Sequence, residues 1–163
     1  STAPDRGVGG RGDMTDKGDV ELRQQIVDGA NDAILFADKE GVIRLWNAGA
    51  ESVFGHTESE ALGQTLDLII PERFRERHWE GFNAAMTTGS TKYSRDLLAV
   101  PAVSKDEGRR SIEFSMVILT DGDGAPIGAA AIVREVSERR QREKELTDRI
   151  GDLEARLGEG SST

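Results

Sequence analysis

Val20, Leu22, Ile26 and Val27 fall near one stripe of a helix and Gly29 ends it, so the pattern predicts an N-terminal cap helix over 19–31. A short apolar run, AILFAD at 33–38, leads through the turn KEG to VIRLWN at 42–47, where Val42, Arg44 and Trp46 alternate with Ile43, Leu45 and Asn47. Such alternation across a tight turn predicts a β-hairpin. Gly55, Gly63 and Pro71 then divide the chain into short helical pieces at about 48–54, 58–62 and 65–70, because glycine and proline interrupt regular structure. Asn47 follows a strand and precedes a helix, where its amide can cap orphan N–H groups.

Pro71 suits the first turn of a longer helix, since its missing N–H goes unused there. In ERFRERHWEGFNAAMTTG, Phe74, His78, Phe82, Ala85 and Met86 fall on one amphipathic face, and Gly89 is the natural C-terminus. Strand-like segments follow at 93–103, 109–120 and 127–136, separated by the turns KDEG and DGDGAP. Ile112, Phe114, Met116 and Ile118 share a face, the pattern of a sheet covered on one side, and Pro101 places its strand at an edge or bulge. After Val136 the period changes again. Leu146, Ile150, Leu153 and Leu157 recur with 4-3-4 spacing, and the register extends back through Glu143 and Arg139 to Val136. This predicts a coiled-coil helix over 137–158, weakened by its charged middle and by Gly151.

The 163 residues fit one domain, and 36% hydrophobic against 31% charged residues is lean enough that part of the chain lies outside a core. Residues 1–18 are read as an unstructured tail or cloning remnant and 159–163 as a second tail. A net charge of −9 argues against a nucleic-acid surface, and the basic cluster RRQRE at 139–143 is interleaved with glutamates as on a solvated helix. With no cysteine, the chain has no disulfide, thiolate metal site, cysteine nucleophile or cysteinyl chromophore adduct. No apolar run approaches the roughly 20 residues of a membrane span. No signal-peptide pattern opens the chain, and a cytoplasmic location is the expectation.

The words NDAILFADKEGVIRLWNAGAESVFGHTESEALGQTLDLIIP and KDEGRRSIEFSMVILTDGDGAPIGAAAIVREVSERR resemble the two halves of the PAS sensory family, over about residues 20–141. The resemblance implies an α+β PAS fold: a five-stranded antiparallel sheet with helices on one face, an N-terminal helix and a C-terminal coiled-coil signalling helix. It implies a sensor rather than an enzyme, and no acid–base or nucleophilic constellation stands against that. EVS at 135–137 occupies the junction where the family usually has Asp, an aromatic or aliphatic residue, and Thr.

His78 lies on the apolar face of the longest internal helix, and its segment resembles the corresponding helix of the haem-binding gas sensors of the family. That resemblance implies a non-covalent b-type haem with His78 as its metal ligand. The distal side then falls to Arg95, which hydrogen-bonds a bound gas, or to Leu98, which leaves that side apolar. Leu97, Leu98, Ile112, Phe114, Met116, Ile118, Ala130 and Ile132 are expected to line the sheet side of the pocket, with Met116 a candidate further iron ligand. His56, in FGHTESE, reads as a polar turn residue. The competing reading packs His78 against Trp79 or turns it to solvent, makes the same apolar residues plain core, and leaves a cofactor-free or metabolite-binding module for dimerisation. The partners implied are a second copy, a diatomic gas where haem is bound, and a signalling partner in trans, with no nucleic acid and no membrane.

Overall fold

The computed structural model describes residues 13–91, 98–106 and 108–160. Helix α1 (Asp13–Gly29) begins ahead of the expected position 19, so residues 13–18 are helical rather than tail, and residues 1–12 lie outside the described residues. Then come β1 (Ala33–Asp38), β2 (Ile43–Trp46), α2 (Ala48–Phe54), α3 (Glu58–Ala61) and a 3-10 turn at Leu66–Leu68. The long α4 (Glu72–Thr88), the strands β3 (Leu98–Val103), β4 (Arg109–Thr120) and β5 (Pro126–Glu135), and α5 (Ser137–Gly160) complete the chain.

The strands form one antiparallel five-stranded sheet in the order β2-β1-β5-β4-β3. The last strand therefore inserts beside the first, and Pro101 sits in edge strand β3, where a missing N–H breaks no ladder on the outer side. One face carries the core. Trp46, Phe54 and Ile43 are its largest fully enclosed apolar side chains, each stabilising the fold by roughly 2 kcal/mol. Trp46 keeps its polar end satisfied by donating from Nε1 to the His56 carbonyl at 2.9 Å, and its ring lies 5.4 Å from that of Phe54.

Asn47 caps α2 as its position predicts, but it does more. Its Oδ1 accepts from the N–H groups of Ala50 at 2.9 Å and Ile34 at 2.8 Å, while Nδ2 donates to the carbonyls of Val27 at 2.7 Å and Asp32 at 3.1 Å. One buried amide thus ties α1, β1 and α2 together. Gly49 follows it because a Cβ there would overlap the Asp32 carbonyl.

Both terminal helices carry apolar stripes that the domain leaves open. Val20 and Ile26 of α1 are each 61% exposed, and no residue of α5 is buried. At the junction into α5, Val136 donates its N–H to the Ser111 carbonyl at 2.8 Å, and the Ser137 hydroxyl accepts from the Ser111 N–H at 2.8 Å. The unusual EVS junction is therefore anchored to β4 through a serine and the backbone.

Candidate functional site

Between α4 and the inner face of the sheet lies a cavity of about 810 Å³. That volume falls within the roughly 300–1,000 Å³ of small-molecule and cofactor sites. Its sheet wall includes Ile112, Phe114 and Met116 of β4 and Ala129, Ala131 and Val133 of β5. The helical wall includes Phe74, His78, Phe82 and Ala85, with Arg77 and Glu80 as the charged lining residues among those described.

The parity of β5 departs from expectation. Met116 pairs with Ala131 and Phe114 with Val133, so residues 129, 131 and 133 point inward together with the inward residues of β4. Ile132, expected to line the pocket, pairs with Ser115 on the other face and is 45% exposed. Ile118 continues the inward face of β4 and packs against the core, beyond the cavity lining. Ala130 does contribute to the lining. Arg95 and Leu97 lie outside the described residues, and Leu98 is placed by its backbone in β3, paired with Phe114.

The reversal has a consequence for volume. Because the inward positions of β5 opposite Met116 and Ile118 are Ala131 and Ala129, the sheet carries small side chains beneath α4, and space remains where an isoleucine would have filled it. Leu35 and Ala37 of β1, with Leu66 and Ile69 from the 3-10 turn region, complete the floor. These were legible as core from their apolar character, but their place in the cavity depends on strand pairing.

His78 is half-buried in this wall, and its Nδ1 is enclosed without a hydrogen-bond partner. Its ring meets the indole of Trp79 edge-on at 5.1 Å and lies 6.0 Å from Phe82. Trp79 is itself held by donation from Nε1 to Asp67 Oδ1 at 2.8 Å, and its ring occupies the space above Gly41, where a Cβ would collide with it. Burial pushes the His78 pKa below the ordinary histidine value, partly opposed by the negative charge of Asp67. The imidazole is therefore neutral near neutral pH, the state in which a ring nitrogen has a lone pair free for a metal. The packing against Trp79 and the position in the cavity wall hold together in one arrangement. His56 contributes its carbonyl to Trp46.

The depressed pKa makes stability pH-dependent with a definite sign. An unfolded histidine takes up a proton near about 6.5, whereas the folded one resists. In that window the unfolded chain binds more protons, so stability falls as pH drops through about 6.5 toward the lower folded value. We predict that the urea midpoint of the protein falls between about pH 7.5 and about pH 5.5, and that His78→Gln flattens this decline. Parallel profiles for the two proteins would show that His78 is not the group responsible.

Among the described residues no cluster of three or more His, Cys, Asp or Glu could hold a bare metal ion, and no helix is long and apolar enough to cross a membrane. A family model described as the PAS fold matches residues 27–141. An uncharacterized protein of Azorhizobium caulinodans is 31% identical over 118 residues, covering 72% of this chain and 16% of that protein. Sensor protein FixL of Bradyrhizobium diazoefficiens is 28% identical over 122 residues, 75% of this chain and 24% of that protein. The chain thus matches less than a quarter of the length of each relative. Among solved structures, the PAS domain of a protein from Colwellia psychrerythraea superposes with a TM-score of 0.64 at 23% identity, covering 73% of this chain and 98% of that one. With the sheet order, the helical layer and the family match in agreement, this chain belongs to the PAS fold family.

Proposed function

We propose that this PAS sensory domain binds a b-type haem in the cavity, senses a diatomic gas or redox state there, and signals through α5 in a homodimer. The observation that carries the reading is the neutral, half-buried imidazole of His78, with an unpartnered Nδ1, set in the wall of an apolar cavity of about 810 Å³. A single protein ligand suits haem, because the porphyrin supplies the equatorial ligands that the described residues do not. The match to a protein named as a sensor, and the resemblance of the His78 segment to haem-binding members of the family, point the same way.

When bound, the iron would supply the site that takes up a gas or changes oxidation state. The chain's own residues do the rest. His78 would hold the metal, Trp79 and Asp67 fix the imidazole's surroundings, and Ile112, Phe114 and Met116 would keep water from the bound group. Arg77 is the guanidinium among the described lining residues and suits the porphyrin carboxylates. The exposed stripe from Leu146 to Leu157 suits a second copy of α5, since its 4-3-4 spacing is that of a coiled-coil seam. Neither the site nor the seam calls for a catalytic role, a membrane or nucleic acid; the downstream partner acts in cis or in trans.

An absorption spectrum of the purified protein after incubation with haem tests this directly. The expected result is an intense Soret band that shifts on reduction and again on adding carbon monoxide. A protein that takes up no haem would leave the cavity to a small apolar metabolite or to none, and the domain as a dimerising module. Ala131→Leu provides an independent check: it fills the cavity, so haem uptake should fall while the haem-free protein gains roughly 1 kcal/mol of stability. Unchanged haem uptake in that variant would place the cofactor elsewhere.

A further inference from the structure

The α5 stripe of Leu146, Ile150, Leu153 and Leu157 extends back by the same spacing to Glu143, Arg139 and Val136. Its two ends meet different surroundings. Leu146 and Leu157 are 60% and 75% exposed, whereas Val136 is buried. Between them, Arg139 turns to the sheet and pairs with the Glu113 carboxylate on β4, while its Nε lies 3.5 Å from Glu143.

Glu113 is a demanding partner. Its side chain is only 18% exposed, so an unpaired charge there is costly. Its cross-strand neighbour Arg134 is engaged by both carboxylate oxygens of Asp32, at 3.2 and 3.0 Å, which leaves Arg139 as its direct ion-pair partner among the described residues. Alternating charges thus run from Asp32, just before β1, through Arg134, Glu113 and Arg139 to Glu143 on α5. Glu113 also stands between Ile112 and Phe114, which line the cavity from the opposite face of the same strand.

We propose that Arg139 is a latch that decides how far the α5 seam reaches toward the domain. This rests on the dimer reading given above. An arginine held against Glu113 of its own sheet is not available to a helix-helix seam, so with the latch closed the seam of two α5 helices begins at Leu146. With the latch open, Arg139 turns to Glu143 of the second copy, and the paired segment lengthens by about one heptad. A ligand that shifts Ile112 or Phe114 moves Glu113 through the pleat and shifts the balance, to the extent that it binds the two states differently.

The chain has no cysteine, so a single label at Gln141→Cys reports the separation of the two helices beside the latch. In the full chain, pulsed electron spin measurements should give a shorter inter-protomer distance in Glu113→Gln than in the wild type. Arg139→Leu, which opens the latch and makes the seam apolar, should shorten it further. Adding Glu113→Gln to Arg139→Leu should then change nothing, because the pair is already broken. An unchanged distance in Glu113→Gln, or a further change in the double variant, overturns the latch. If sedimentation shows a monomer at every concentration, the dimer reading fails, and hydrogen exchange judges the latch alone. Glu113→Gln should then speed exchange in the first turns of α5 by about threefold to tenfold, and equal rates would overturn it.

Discussion

Replacing His78 with alanine should abolish haem retention while the domain stays folded. Loss of an outer-shell partner of a metal ligand costs about 10–100-fold in affinity, so loss of the ligand itself should cost at least roughly 100-fold. The fold should tolerate the change, because His78 makes edge contacts with Trp79 and its buried Nδ1 has no hydrogen bond to lose. The stability change should stay within about 1 kcal/mol, since removing an unpartnered buried polar atom offsets lost packing. Trp79 remains tied to Asp67, so the cavity wall keeps its shape. Titration with haem, followed by the Soret band, gives the affinity, and a thermal melt gives the fold. Added imidazole should restore binding in the variant by filling the vacated position. Equal haem affinity in wild type and variant would remove His78 as the ligand.

Asn47→Ala should be the most damaging substitution of a single polar side chain. The wild-type amide makes four hydrogen bonds from a fully enclosed position, two to N–H groups and two to carbonyls. Truncation orphans the Ala50 N–H at the start of α2 and the carbonyl of Val27 in α1, and each unpaired buried group carries a desolvation cost. Lost capping and lost bonds together come to about 3 kcal/mol, or a Tm lower by roughly 10 °C. Asn47→Asp separates the parts: it keeps the acceptor for Ala50 and Ile34 but turns a carboxylate toward the two carbonyls, so α1 should loosen first. Amide exchange in α1 that rises ahead of exchange in α2 would show this order. A Tm within about 2 °C of wild type in Asn47→Ala would mean that water replaces the amide in all its contacts.

Much of this architecture was legible from local pattern. Strand alternation, the glycine and proline breaks and the face of α4 each follow from the side-chain period of the element that contains them, and the structure has those elements in that order. His78 was visible for the same reason, as a polar residue on an otherwise apolar helical face. The face of β5 was not. GAAAIV is a contiguous apolar run with no polar residue to mark its outer side, so alternation within the strand is silent. Pairing of Met116 with Ala131 turns Ile132 outward and sets the alanines beneath α4, which is what makes room for a cavity.

By itself, the sequence determined the order and kind of the elements, the cap at Asn47, an edge or bulge position for Pro101 and the heptad stripe of α5, since each depends on residues within a few positions of one another. Tertiary structure alone decided the reach of Asn47 back to Val27, the inward parity of β5, the cavity against His78, and the pairing of Arg139 with Glu113. These join residues from separate elements, and contacts of that kind are set by strand register and helix docking, for which local periodicity carries no information.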